Sequence, residues 1–416
     1  MKLMLGFGNS SQIVEVPDNN LVGVLQPNEV SLELTGLDSV KRAFKSPIGA
    51  PHLTEIVEPG EKIVIITSDI TRPLPSHKII PFVLTELWGA GVKPDDVTIV
   101  FALGSHRKHT VDEMKKLVGE EVFEQVRCED SDSEDFIHMG TTKMGTPVDI
   151  TRIVAEADVR IGISNIEYHY FAGYSGGAKA IMPGVSTRAA IQSNHSRMVL
   201  PSAAAGMLEG NPVREDIEKA MFFCPLHYIL NVVLNEQKEI IKAVAGHFIE
   251  AHREGCKFLD KLYRKVINER ADIVIASQGG APKDINLYQT QKALDNAKHA
   301  VKKGGVIILA GSCREGLGEE VFEEWMTKAE TAISMISRIQ KEFKLGGHKA
   351  AAIAMVLEEC DIYLVSEMEP KYVESIFLKP FVTVQDALDT ALRSMGEGAT
   401  VLVMPYAGST LPVVRK

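Results

Sequence analysis

Lys62-Ile63-Val64-Ile65-Ile66-Thr67, the loop Ser68-Asp69-Ile70-Thr71-Arg72-Pro73, an apolar-spaced segment over 79–88, and Val97-Thr98-Ile99-Val100-Phe101-Ala102 together decide the fold. The first and last runs are continuous, apolar and rich in β-branched residues, as buried strands are. The segment between them places its apolar residues at helical spacing. Alternation of this kind implies crossover units around a mainly parallel sheet. Working outward, Val159-Arg160-Ile161-Gly162-Ile163-Ser164 reads as a further strand. The pattern restarts at Asp272-Ile273-Val274-Ile275-Ala276, followed by an expected helix over about 289–303 and strands over 306–310, 361–365 and 400–404. A charged, helical stretch over 249–270 separates the two sets. The expected fold is therefore α/β: two domains, 1–270 and 271–416, with mainly parallel sheets and an active-site cleft between them.

The size supports two cores, because 416 residues exceed what one usually accommodates. Hydrophobic content of 45% and charged content of 24% are those of an ordinary globular protein. A net charge of -10 argues against a nucleic-acid partner, which would call for a basic stripe, and against attraction to an anionic membrane. Met1-Lys2-Leu3-Met4-Leu5 is too short for a signal peptide, and no run is long enough to span a bilayer. The five cysteines are scattered and lack C-x-x-C spacing. They fit small buried hydrophobes in a reducing cytoplasm, which is the expected location.

In open α/β sheets ligands gather beyond the carboxyl ends of strands. The notable polar residues fall there: Asp69 and Arg72, then Gly104-Ser105-His106-Arg107, then the segment from Ser164 to Lys179, then Gly279 to Asp284. Arg72 has a planar fork suited to a carboxylate, which Asp69 could hold in place; a strand-end ion pair is the plainer alternative. His106 is either a titrating group in a cleft or merely solvated. His52, His77, His109, His138 and His348 read as ordinary histidines. Gly173, Gly176 and Gly177 allow close approach of backbone to a ligand. Lys179 follows them, with His169 ten residues before it and His195 sixteen after. A lysine on such a loop suggests a phosphorylated cofactor, held or tethered beside an acid/base and a metal ligand. A flexible surface loop is the other reading.

His195 is expected on a helix opened by Pro183-Gly184 and capped by Ser186. One histidine is a poor metal site by itself and makes sense only if a cofactor supplies the other ligands. Tyr288-Gln289-Thr290-Gln291-Lys292 opens a helix, with Lys292 one turn along from Tyr288 and Gln289. The glycine loop lacks P-loop spacing, and there is no G-x-G-x-x-G fingerprint for a nicotinamide carrier. G-Y-S-G-G lacks the strand lead-in of a hydrolase elbow.

Taken together, S-D-I-T-R-P, G-S-H-R, H-Y-F-A-G-Y-S-G-G-A-K with the later His195, and Y-Q-x-x-K resemble the nickel-dependent lactate racemase family and its paralogues, in order and across nearly the whole chain. The resemblance implies an isomerase that racemises or epimerises a 2-hydroxy acid by reversible hydride transfer through a 2-keto acid. It implies a nickel-pincer nucleotide, a pyridinium mononucleotide with two thio-acid arms, joined covalently to Lys179 with His195 as the nickel ligand. His106 and His169 are then the catalytic pair. Asp69, Gly176, Gly177, Tyr288, Gln289 and Lys292 contact the cofactor, and Arg72, Gln289 and Lys292 the substrate. Separate cofactor-synthesis proteins are implied partners. Lys344-Leu345-Gly346-Gly347-His348-Lys349 is similar to paralogues acting on 2-hydroxy acids other than lactate. A non-catalytic nucleotide or carboxylate carrier is the competing class, and two acid/base histidines speak against it.

Overall fold

The structure is a computed structural model that describes residues 1–235 and 237–415. It forms two compact units, one spanning Val30–Asp260 and the other joining Met1–Glu29 to Lys261–Lys416.

The unit Val30–Asp260 is built on a six-stranded sheet in the order Ile240–Gly246, Tyr228–Leu234, Val159–Asn165, Ile63–Ser68, Val97–Ala102, Arg127–Asp130. The pairing is parallel except for the hairpin of the first two strands. Ile63 to Thr67 are all buried, which explains why this strand reads as a continuous apolar run. Full burial of each such side chain stabilises by about 1.5–3 kcal/mol. The following helix is longer than its apolar spacing suggests, Ser76–Gly89, and buries Ile79, Ile80, Val83, Leu84 and Leu87. Its first residue is tied to the sheet, because the Ser76 and Thr67 hydroxyls lie 2.9 Å apart.

The chain leaves Ile63–Ser68 toward Val97–Ala102 on one side and later returns to add Val159–Asn165 on the other. The strand order therefore reverses between Ile63–Ser68 and Val159–Asn165. Loops leaving such a pair at their carboxyl ends diverge and open a crevice. The Asp69–Arg72 loop and the His169 loop are the two that diverge.

The other unit holds six parallel strands in the order Lys379–Phe381, Asp361–Val365, Val301–Ala310, Ala271–Ser277, Val401–Met404, Leu21–Val24. Its last strand comes from the start of the chain, so the N-terminal 29 residues lie with the C-terminal unit rather than with 30–260. Leu5 and Val14 of the antiparallel hairpin Lys2–Phe7 and Ser10–Glu15, and Val16 just after it, are fully buried in one core with Ile273, Ile275 and Val401. This differs from the expected division at residue 270, since such a long-range pairing leaves no local mark. Two other expectations also shift. The helix Leu287–Ala297 ends sooner and the next strand starts at Val301. The 249–270 stretch is the helix Glu250–Tyr263 followed by a strand, Arg264–Ile267, paired with Leu411–Val414. No described helix is long and apolar enough to cross a membrane.

Candidate active site

Asp69 follows its strand directly and is buried. Its Oδ2 accepts a hydrogen bond from His106 Nδ1 at 2.8 Å, and the Thr71 hydroxyl donates to the carboxylate at 2.9 Å. Burial alone would raise the Asp69 pKa; the bonds from His106 and Thr71 and the charge of Arg72 outweigh it and hold the carboxyl below its ordinary value. A proton on His106 Nδ1 leaves the lone pair on Nε2, the arrangement of an oriented general base. Asp69 thus turns toward His106 rather than gripping the fork of Arg72. Arg72 instead faces Glu167 across the crevice, 3.7 Å away. Beside His106 lies a cavity of about 300 Å³ that carries Arg107, Lys108 and Arg188 on its wall.

His109 is not a solvated bystander. Its ring, with 1% of the side chain exposed, stands 2.5 Å from Asp130 through Nδ1 and accepts the Ile70 N–H at Nε2, 3.0 Å away. It braces the Asp69–Arg72 loop against the neighbouring strand end.

The glycine segment is held from beneath. Arg214, fully buried, donates to the carbonyl oxygens of Ala172 at 3.1 Å, Gly176 at 3.4 Å and Tyr174. Burial lowers its guanidinium to about 10, so it remains charged at neutral pH. His252 Nε2 donates to the Ser175 carbonyl at 2.7 Å. Gly176 and Gly177 both have positive φ, and a Cβ on either would press on the His252 ring and, at Gly176, on Asn231. The Gly177 amide donates to Asn231 Oδ1 at 2.8 Å, so it is engaged inside the protein. Gly173 is the most constrained position: φ is +78° and a Cβ would overlap the Met207 carbonyl oxygen. Gly173→Ala is expected to destabilise the fold by about 2 kcal/mol or more, read as a lower urea midpoint. An unchanged midpoint would count against this account of the loop.

His169, Lys179 and His195 meet around one ring. Phe171 has its centroid 4.5 Å from that of His169 and 4.9 Å from that of His195, and Lys179 Nζ lies 6.0 Å from it. Desolvation first, then the charges of Lys179 and Arg72, hold the His169 imidazolium well below the usual range. The Ala172 N–H donates to His169 Nδ1 at 3.2 Å, so the neutral ring carries its proton at Nε2, the reverse of His106. Desolvation, then Arg214 and Arg72, hold Lys179 well below the usual lysine range, with Glu167 opposing them. A neutral amine is a nucleophile, which an ammonium is not.

His195 ends the helix Arg188–His195 and is buried, with Nδ1 at 2.9 Å from Asn194 Oδ1. The cap of that helix is Thr187, whose side chain accepts from the Ala190 amide; Ser186, the expected cap, donates to the Ile181 carbonyl instead. Among the described residues no group of three or more His, Cys, Asp or Glu side chains is placed to hold a metal.

In the other unit, Tyr288, Gln289 and Lys292 lie in the first turns of Leu287–Ala297, whose cap Asn286 accepts from the Gln289 amide at 3.0 Å. Lys349, buried at the start of the helix Gly347–Leu357, donates to the Tyr288 carbonyl and lies 4.0 Å from the centre of its ring.

Residues 7–206 match the lactate racemase N-terminal domain and residues 266–411 the lactate racemase C-terminal domain. The chain belongs to the lactate racemase family. It is 35% identical to the lactate racemase of Thermoanaerobacterium thermosaccharolyticum, covering 97% of each chain, and 32% identical to that of Lactiplantibacillus plantarum, covering 94% of this chain and 95% of the other. The lactate racemase apoprotein structure from T. thermosaccharolyticum superposes with a TM-score of 0.90 at 34% identity over the whole of both chains. A protein from Thermotoga maritima shares the fold at a TM-score of 0.63 and 19% identity, covering 89% of this chain and all of that one. The chain is thus an isomerase, a racemase.

For a racemase of this family the supporting residues are as telling as the reactive ones. The roles of Phe171, Glu167, Asn231 and Arg214 escaped the sequence reading, and His109 read as an ordinary histidine. Asn211-Pro212 does signal a helix start, and Asn211 caps Pro212–Ala220, with Arg214 and Glu218 four residues apart on it. Nothing local shows that the face carrying Arg214 lies under the glycine loop.

Proposed function

We propose that this protein racemises or epimerises a 2-hydroxy acid with a nickel-pincer nucleotide joined to Lys179 and with His195 as the protein ligand to nickel. The convergence of His169, Lys179 and His195 on the Phe171 ring is the observation that carries this reading. The donor set fits the group. Among the described residues no group of three or more metal-ligating side chains includes His195, which suits a metal whose other ligands come from a pincer. The desolvated Lys179 amine is the nucleophile that an acyl attachment requires.

When bound, the nickel-pincer nucleotide supplies an acceptor for hydride from the carbinol carbon of the substrate. The chain's own groups do the rest. Arg72 binds the substrate carboxylate, with Glu167 restraining its fork. His106 takes the hydroxyl proton at Nε2, and Asp69 stabilises the imidazolium so formed. His169 serves the other enantiomer, once its ring hydrogen has moved to Nδ1 in exchange for the Ala172 N–H bond and freed Nε2. The apolar rings around it exclude water from the flat 2-keto acid that both directions share. Tyr288, Gln289 and Lys292 contribute the cofactor and substrate contacts that the family resemblance implies. A carrier that only binds nucleotide or carboxylate has no use for the Asp69–His106 pair. The five free cysteines suit a reducing cytoplasm, and separate proteins are required to make the cofactor.

Intact mass and nickel content, measured on one sample from a host that makes the cofactor, test the reading directly. Equimolar nickel with a nucleotide adduct is expected. In His195→Ala nickel should be lost on dialysis and activity with it. Stoichiometric nickel retained by that variant would refute the ligand assignment.

A further inference from the structure

The orientation of His195 follows from a chain of hydrogen bonds that begins on another helix. Asp216, on Pro212–Ala220, is 1% exposed, and Asn194 is fully buried. The Asp216 carboxylate accepts from the Thr142 hydroxyl at 2.6 Å, the Thr146 hydroxyl at 2.6 Å and the Asn194 amide nitrogen at 2.8 Å, with Arg197 at 3.5 Å. The same amide nitrogen donates to the Val213 carbonyl at 3.2 Å. Carboxylate and carbonyl oxygens here only accept, so both hydrogens of the Asn194 amide are assigned and its oxygen must face His195. That oxygen stands 2.9 Å from Nδ1 and can only accept, so Nδ1 carries the hydrogen. The neutral ring then has its lone pair on Nε2.

We propose that Asp216 and Asn194 form a positioning relay that fixes His195 in the tautomer whose Nε2 binds the metal. The proposal rests on the reading of His195 as the nickel ligand and deepens it. Asp216 orients the amide, the amide orients the ring, and a ligand held this way loses little entropy on coordination. The two threonine hydroxyls and Arg197 keep Asp216 from rotating away.

The relay is testable in the apoprotein, without nickel. Long-range proton–nitrogen correlation spectra of histidine-labelled protein at about pH 8, above the usual histidine pKa, distinguish the two neutral tautomers. Signals of His195 are identified by their loss in His195→Gln. Native protein should show a protonated Nδ1 and a bare Nε2. Asn194→Leu removes the acceptor, and Asp216→Asn lets the Asn194 amide turn over. Both should move His195 to the Nε2–H form while circular dichroism stays native. In holoprotein both should hold nickel about 10- to 100-fold more weakly. Because Asp216 gathers several donors, Asn194→Leu decides the matter if Asp216→Asn does not fold. A native His195 in the Nε2–H form, or folded variants that keep the native tautomer, would overturn the relay. A native Nδ1–H ring whose His195→Ala variant keeps its nickel would instead sink the ligand assignment and leave the relay standing.

Discussion

Replacing His106 or His169 by alanine is expected to lower racemisation by about 100- to 10,000-fold in either direction, with nickel and cofactor retained. Both directions suffer because they share the 2-keto acid and each needs both proton transfers. The half-reaction should separate the variants. In an acid-quenched single turnover, each should still form 2-keto acid from one enantiomer only, and the enantiomer should differ between them. The structure adds an asymmetry. His106 already presents an Nε2 lone pair, because Asp69 takes its Nδ1 hydrogen. His169 receives the Ala172 N–H at Nδ1 and must exchange that bond before it can accept a proton at Nε2. Asp69→Asn, which removes the reason for the His106 tautomer, should therefore resemble His106→Ala in its enantiomer bias, with a loss of up to about 10,000-fold. A wild-type rate in any of the three, or the same bias in the two histidine variants, would refute the paired-histidine mechanism.

Lys179→Arg should abolish the covalent adduct in intact mass spectra, since a guanidinium does not acylate under these conditions. A short tether is worth about millimolar effective concentration, so at about micromolar free cofactor the variant should lose about 1,000-fold in activity. Peptide mapping of the native holoprotein should place the adduct on Lys179. The sign of the pH effect follows from the lowered lysine pKa: the reactive neutral amine forms as pH rises through a folded-state value below the ordinary one. Acetylation of the apoprotein with a limiting amine-selective reagent near neutral pH should thus label Lys179 faster than lysines of ordinary basicity. An unmodified Lys179 in active, nickel-loaded protein would end the tethering assignment.

Much of this was legible in the chain itself. Strands such as Val97–Ala102 and Asp361–Val365 are visible because burial on both faces demands an unbroken apolar run. The candidate site residues are visible because a parallel α/β sheet places strand-end loops on one side, so Asp69, Arg72, His106 and His169 stand out by their position after strands. The family follows from the spacing of those motifs. Tertiary structure alone decided what the residues do to one another. Asp69 proves to hold His106, Gly177 turns its amide to Asn231, and Phe171 gathers two histidines and a lysine. It also sent Leu21–Val24 to a sheet made from the far end of the chain. Periodicity records which face of an element is buried, but not which partner lies against that face. Contacts such as Arg214 under the glycine loop and Asp216 behind His195 are set by three-dimensional packing between segments distant in sequence.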